Sequence, residues 1–139
     1  MSVLDPDDRE HRKIAKRLHE ELIIWLTTVR TDGQPQSVPV WFLWDGESFW
    51  MFSQPGKAKL QNIRKNPRVG LHLQATDAGG DVVVFEGEAE LPDGPAATEL
   101  PEYIDKYSAQ IANYGWTPVG FAADYSEPVR VRPETLRAW

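Results

Sequence analysis

Residues 48–76 read SFWMFSQPGKAKLQNIRKNPRVGLHLQAT, and in this stretch a predicted short helix joins two predicted strands. The strand-like run from Ser48 to Ser53 ends at Pro55-Gly56, a pair that interrupts a strand. Asn66-Pro67 ends the helix that follows, because the residue before a proline disfavours helical backbone. This succession of strand, turn, helix, turn and strand is the local pattern around which we place the rest of the chain.

The same stretch is basic, although the chain as a whole is acidic. Residues 48–76 hold five Lys or Arg residues and no Asp or Glu, whereas the 139-residue chain has a formal net charge of -6. A helix N-terminus presents unpaired N–H groups and the positive end of the helix dipole. With Ser53, Lys57 and Lys59 it predicts a cradle for an anion, most naturally a phosphate. A solvated basic helix face is the alternative, and these local features do not separate the two.

The composition excludes several classes of protein. The chain has no Cys, which excludes disulfides, thiolate metal sites and a cysteine nucleophile. No apolar run approaches the ~18 residues of a membrane helix, and the N-terminal sequence MSVLDPDDREHRK is too polar for a signal peptide. We therefore expect a cytoplasmic protein. The acidic balance argues against nucleic-acid binding, including a barrel that stacks bases on exposed aromatic residues.

The residue patterns predict one domain, residues 1–139, that is mainly β with peripheral helices (α+β). Six strands are expected, at residues 22–29, 36–44, 48–53, 68–73, 82–91 and 128–136. Asp-Gly pairs after the first and second strands predict tight turns, and therefore a meander. Helices are expected at residues 57–65 and 102–114, and residues 117–123 form a helix or a loop. Such connections favour an antiparallel barrel with helices at its ends.

Two elements carry more detailed expectations. Asp5 is predicted to cap the first helix, with Pro6 in its first turn and an apolar stripe of Ile14, Leu18 and Leu22. The second strand is apolar on both faces, so we expect both faces to be covered. Pro39 within it indicates an edge, a bulge or a break, because proline has no N–H to donate.

The sequence lacks the usual catalytic and nucleotide-binding motifs. It has no G-x-S-x-G, no G-x-G-x-x-G and no P-loop, and its three histidines have no metal-ligand spacing. What remains is an anion cradle beside strands rich in Trp, Phe and Pro, which suits a flat aromatic cofactor with a phosphate tail. Its ring would lie along residues 38–41. Each of these residues also has an interpretation that needs no cofactor. Trp41, Trp44 and Trp50 would belong to the core, and His72 would be a packing residue. Arg64, Lys65 and Arg68 would be solvated, and Arg130 and Arg132 would pair with residues 86–90.

Residues 27–73 resemble the pyridoxamine 5'-phosphate oxidase-like split-barrel family, and within it the branch that uses the deazaflavin coenzyme F420. The shared pattern is a first strand and a D-G-x-P turn, a P-V-W-F segment, a Ser that closes the third strand, and a K-x-K-x-x-N-I-R helix followed by N-P. The resemblance implies a six-stranded antiparallel split β-barrel of the FMN-binding type. It also implies a homodimer with a cofactor site in each groove between the protomers.

The resemblance further implies a set of site residues. The phosphate would be held by Ser53, Lys57 and Lys59, with Asn62 and Arg64 nearby, and the ring would contact Ser37, Val38, Pro39, Val40 and Trp41. The partner protomer would cover the ring with His72 and with Arg137 or Trp139. No residue is an evident catalyst, and the proton would come from solvent or from a Tyr of the helix at residues 102–114.

The implied activity is that of an oxidoreductase. It would transfer hydride between reduced F420 and a small conjugated organic acceptor, without a metal. The alternatives are an FMN-binding oxidoreductase of the same family, or a protein that binds the cofactor as a carrier without turnover.

Overall fold

The computed structural model describes residues 2–139, which form seven strands and four α-helices. The strands are β1 (Ile24–Val29), β2 (Pro35–Val40), β3 (Leu43–Trp44), β4 (Phe49–Ser53), β5 (Arg68–His72), β6 (Val83–Glu90) and β7 (Glu127–Ala138). The helices are α1 (Arg9–Glu20), α2 (Ala58–Lys65), α3 (Pro101–Asn113) and α4 (Pro118–Asp124), and a short 3-10 helix spans Ala97–Glu99.

The strands form one antiparallel sheet in the order β2-β1-β5-β6-β7-β4-β3. Its two outermost strands, β2 and β3, are consecutive in the chain and are joined by Trp41 and Phe42 alone. The sheet therefore curls until its two edges meet at this junction, which is the geometry of a split barrel. The prediction of an antiparallel split barrel with peripheral helices is confirmed.

The predicted second strand, residues 36–44, is wrong as a single strand, and this accounts for seven strands instead of six. At the junction the N–H of Phe42 donates to the Tyr107 hydroxyl over 2.7 Å instead of to a neighbouring strand. The expected cover on both faces is also wrong, because residues 37–39 of β2 are exposed at the sheet edge. The edge position indicated by Pro39 is confirmed.

The first helix begins later than predicted. Asp8, not Asp5, caps α1, since its carboxylate accepts from the N–H groups of Glu10 and His11. Asp5 instead accepts from the N–H of Asp7 in the preceding turn. Leu22 lies beyond the helix and is exposed, so the buried stripe of α1 consists of Ile14 and Leu18.

The two Asp-Gly turns form as predicted, with Gly33 and Gly46 at positive φ values that glycine adopts without strain. Burial alternates along β6, since Phe85, Gly87 and Ala89 are buried while Glu86 and Glu88 are exposed.

Two clusters of buried side chains make up the core. The larger one fills the inside of the sheet and contacts α1 and α2. The smaller one is largely aromatic and lies between β3–β4 and the helices α3 and α4, with the members Leu43, Phe52, Ala97, Tyr103, Tyr107, Ile111 and Phe121. The open side of this aromatic cluster forms the candidate site.

Candidate functional site

An open pocket of about 350 Å³ lies where the end of β2, the β4–α2 connection and the helices α3 and α4 meet. Its lining residues come from four parts of the chain: Pro39, Val40, Trp41, Phe52, Gln54, Lys57, Lys59, Tyr103, Tyr114, Trp116, Phe121 and Tyr125. We call it the aromatic pocket. The set contains two lysines and no carboxylate, so one end of the pocket is cationic and the rest is mainly apolar.

The cationic end lies at the beginning of α2. Lys57 occupies the N-cap position with no side-chain cap, and Lys59 follows in the first turn. Burial lowers the pKa of Lys59, and the charge of Lys57 lowers it further. Each effect disfavours the charged lysine, and a bound anion would offset both because an opposite charge favours the charged form. This end of the pocket therefore favours a phosphate or a carboxylate.

The aromatic walls are fixed by stacking. The ring of Trp41 lies parallel to that of Tyr107, with centroids 4.5 Å apart, and it also contacts Phe121 at 5.5 Å and Trp116 at 6.4 Å. Trp41 is thus packed against the smaller core cluster, which agrees with the alternative interpretation that this residue belongs to the core. Tyr114 and Trp116 form the outer wall and stack on each other at 4.7 Å, although they are 65% and 39% exposed.

The structure brings five of the predicted site residues together in this pocket: Pro39, Val40, Trp41, Lys57 and Lys59. Ser53 is adjacent to the pocket but buried, and its hydroxyl donates to the carbonyl of Gln54 over 2.8 Å. Ser37 and Val38 lie further along the exposed edge strand, where the Ser37 hydroxyl pairs with that of Thr27.

Asn62 and Arg64 lie on a different surface from the two lysines. They border a second pocket of about 490 Å³, between α2 and the β1–β2 hairpin, which Arg30 and Lys65 also line. The Asn62 amide nitrogen donates to Thr28 Oγ1 over 2.9 Å and to Gln36 Oε1 over 3.0 Å. Asn62 therefore ties the helix to the hairpin.

His72 and Trp139 lie outside the aromatic pocket of their own chain. His72 stacks on Trp25 with centroids 6.1 Å apart, and its Nδ1 lies 3.1 Å from the carbonyl oxygen of Leu73. Trp139 pairs through its backbone with Val82, and its side chain is 69% exposed.

The expected pairing of Arg130 and Arg132 with the β6 carboxylates is confirmed, since both contact Glu90. Arg68, from the basic stretch, pairs with Glu88 and Glu134. These three arginines are therefore engaged within the chain.

Sequence reasoning missed most of the aromatic wall. None of the predicted cofactor-binding residues is among these lining residues: Phe52, Gln54, Tyr103, Tyr114, Trp116, Phe121 and Tyr125. A Tyr of residues 102–114 was expected only as a proton donor, and Tyr103 and Tyr114 are two such residues. The one available signal was the density of aromatic residues in YGWTPVGFAADY, residues 114–125, at the end of α3 and through α4. That signal does not say which strand those residues face.

Two absences concern the described part of the chain, residues 2–139. No group of three or more His, Asp or Glu side chains there is arranged to hold a metal ion. No helix there has both the length and the apolar character needed to cross a bilayer.

The sequence pattern of the pyridoxamine 5'-phosphate oxidase family matches residues 11–139, almost the whole chain. The chain belongs to this family. The family-level resemblance of residues 27–73 is thereby confirmed. No curated protein matches the sequence closely.

Solved structures of this fold carry several different functional names. An F420 reductase is 27% identical, with a TM-score of 0.68 over 88% of this chain and 94% of that chain. A FAD-binding protein from Mesorhizobium loti is 23% identical, with a TM-score of 0.64 over 90% and 88%. HutZ, a heme storage protein from Vibrio cholerae, is 17% identical, with a TM-score of 0.66 over 99% and 95%. The last two similarities show the fold alone.

Proposed function

We propose that this protein is an F420-dependent oxidoreductase that reduces a small conjugated organic acceptor. The observation that carries the proposal is the aromatic pocket, in which Lys57 and Lys59 face a mainly apolar wall that includes Pro39, Val40 and Trp41. A flat ring with an anionic tail matches this division of charge. The 27% identity to an F420 reductase supports the choice of deazaflavin.

The lining residues fit such a cofactor at both ends. Two lysines without a lining carboxylate provide charge-assisted hydrogen bonds for a phosphate. Pro39, Val40 and Trp41 offer an apolar surface at the end of an edge strand, and Trp41 is held in place by Tyr107. A bound reduced deazaflavin would supply the hydride, while the chain binds the phosphate, orients the ring and excludes water from one side of it.

We also propose that the active form is a homodimer. His72 lies outside the aromatic pocket of its own chain, on the outer face of the sheet, and Trp139 is exposed. A partner protomer provides a way for His72, together with Arg137 or Trp139, to reach the cofactor. The outer face of the sheet and the β2 edge are the surfaces proposed for this contact.

The same pocket chemistry fits FMN, which also combines a flat ring with a phosphate. The test is therefore a titration of the purified protein with F420 and FMN side by side, followed by ligand fluorescence. Tight F420 binding with weak FMN binding supports the proposal, and the reverse order assigns the protein to FMN. F420 binding without acceleration of acceptor reduction over free F420H2 indicates a carrier.

A pair of double variants tests the lysine cradle. Lys57→Ala with Lys59→Ala should weaken F420 binding at least tenfold, because each charge-assisted hydrogen bond contributes about 1.5–3 kcal/mol. Lys57 is exposed, and replacement of the half-buried Lys59 removes a charge that its burial disfavours, so the variant should fold normally. Lys16→Ala with Lys65→Ala removes the same charge outside the pocket and should leave affinity within about threefold. Equal losses in both variants would contradict a specific cradle.

A further inference from the structure

The outer part of the aromatic pocket, away from the lysine end, is lined by aromatic side chains. Trp116 lies near Phe121, with ring centroids 6.2 Å apart, and near Tyr125 at 6.1 Å. Tyr114 covers one side of Trp116, and both side chains remain substantially exposed. Among the residues of this wall none is charged. Stacked aromatic side chains with open faces bind flat, uncharged rings well.

Tyr103 supplies a polar group at the floor of the same pocket. The residue is 1% exposed, and its ring is fixed by edge contact with Phe52 at 4.9 Å. Its hydroxyl makes no hydrogen bond within residues 2–139. Because every fully enclosed side-chain polar atom in those residues has a partner, this hydroxyl is not fully enclosed. The hydroxyl therefore meets the open space of the pocket, where a ligand could satisfy it.

The protonation state of the Tyr103 hydroxyl decides which hydrogen bonds it can make. Burial, then the neighbouring Tyr107 and Tyr125, raise the pKa of Tyr103 well above its usual value. The group is therefore protonated at neutral pH and has a hydrogen to donate, which an acceptor such as a carbonyl oxygen would satisfy.

We propose that the outer part of the aromatic pocket is a subsite for an uncharged, planar conjugated ligand bearing a carbonyl or similar acceptor, which Tyr103 binds through its hydroxyl while Trp116, supported by Tyr114, stacks on the ring. Phe121 connects the two parts of this surface, because its ring centroid lies 6.1 Å from that of Tyr103 and 6.2 Å from that of Trp116. The proposal rests on the proposed function in identifying this ligand as the molecule reduced.

Three small probes separate the hydrogen bond from the stacking. 1-Indanone is planar and has a carbonyl, indane lacks the carbonyl, and octahydroinden-1-one keeps the carbonyl but is not flat. Their dissociation constants are measured by saturation-transfer NMR on the cofactor-free protein and again with saturating F420. 1-Indanone should bind about five- to tenfold more tightly than either relative, which is the size of one net hydrogen bond or one aromatic stack.

Substitutions then assign each contribution to a residue. Tyr103→Phe keeps the packed ring and should bring the affinity for 1-indanone down to that for indane. Trp116→Ala should weaken 1-indanone and indane equally. Val119→Ala is the matched control, because Val119 is 74% exposed on α4 and does not line the pocket, and it should change neither affinity. A Tyr103→Phe protein that still prefers 1-indanone over indane, or a Trp116→Ala protein with unchanged affinities, would overturn the proposal.

The probe titrations in the presence of saturating F420 test this subsite separately from the proposed F420-dependent function. Unchanged probe binding in the F420-saturated protein supports a separate subsite. Displacement of 1-indanone by F420 overturns the subsite and leaves the cofactor assignment standing. If F420 does not bind but the dependence on Tyr103 and Trp116 holds, the subsite stands and the F420 chemistry fails.

Discussion

Asn62 is a buried amide whose two amide hydrogens are both used within the protein. They bond to Thr28 and Gln36, which lie on the two strands of the β1–β2 hairpin. The K-x-K-x-x-N-I-R helix motif associates Asn62 with a cofactor phosphate, but these contacts assign it to the joint between α2 and the hairpin. A buried side chain whose amide nitrogen makes two hydrogen bonds within the protein contributes to the free energy of unfolding more directly than to ligand affinity.

Replacement of Asn62 should therefore act on stability. We expect Asn62→Ala to lower the free energy of unfolding by about 1–3 kcal/mol, because Thr28 and Gln36 lose their partner in a buried place. Gln61→Ala is the control, since Gln61 is the exposed neighbour on the same helix. Urea denaturation measures both, and F420 titration of the folded variant should give the affinity of the unchanged protein. A stable Asn62→Ala protein with poor cofactor affinity would reverse this assignment.

A local sequence motif identifies site residues that are close in sequence, but it does not identify those whose role depends on distant parts of the chain. Lys57 and Lys59 are close in sequence, so a local pattern was enough to pair them. Tyr103 and Tyr107 lie one helical turn apart on α3 and are equally buried, yet their hydroxyls differ. The Tyr107 hydroxyl meets the backbone of Leu22 and Phe42, whereas the Tyr103 hydroxyl faces the pocket. That difference depends on strands more than 50 residues away.

At the scale of elements, helix α3 holds the junction at which the barrel is split. Lys106 Nζ donates to the carbonyls of Leu18 and Phe42, each over 3.0 Å, and lies 3.7 Å above the Phe42 ring. Tyr107 accepts from the Phe42 N–H. The break between β2 and β3 thus exists because a distant helix satisfies the backbone there. The apolar run from Val38 to Trp44 predicts one continuous strand, and nothing within that run signals the helix.

The position of Lys106 gives the fold a pH dependence. Burial lowers the pKa of Lys106 to about 8, against 10.5 in an exposed lysine, although the Glu21 carboxylate acts in the opposite direction. Between these two pH values the unfolded chain carries a proton that the folded chain has lost. The contribution of Lys106 to the free energy of unfolding therefore rises as the pH rises from 8 towards 10.5, and it is constant below pH 8.

Comparison with Lys106→Met isolates this contribution. The change in the free energy of unfolding between pH 7 and pH 9.5, measured in urea, should be more favourable for the unchanged protein than for Lys106→Met. Other titrating groups are common to both proteins and cancel. Lys13→Met, at an exposed lysine of α1, should follow the unchanged protein. Identical pH profiles for the unchanged protein and Lys106→Met would show that the lysine is solvated in solution.

At the scale of the whole molecule, one row of side chains crosses the outer face of the sheet. The register places Pro39, Trp25, His72, Val84 and Arg137 side by side on strands β2, β1, β5, β6 and β7. Their neighbours Leu26, Leu71 and Phe85 point into the core, so this row faces outward. It is largely apolar and ends at the exposed edge strand. Sequence patterns predicted the strands, but the order in which they pair, which places these five residues in one row, depends on contacts between strands far apart in the chain.

We expect this row to be the contact of a homodimer, and a charge placed in its centre should dissociate it. The protein should sediment at twice its 15.8 kDa chain mass. Val84→Lys should shift it to the monomer, because an unpaired buried charge costs several kcal/mol in an apolar interface. F420 affinity should fall with it, since the proposed cofactor site includes residues of the partner protomer. Val119→Lys places the same charge at an exposed position on α4 and should remain dimeric with normal affinity. A monomeric unchanged protein that binds F420 tightly would refute the shared site, and a dimeric Val84→Lys protein would place the interface on another surface.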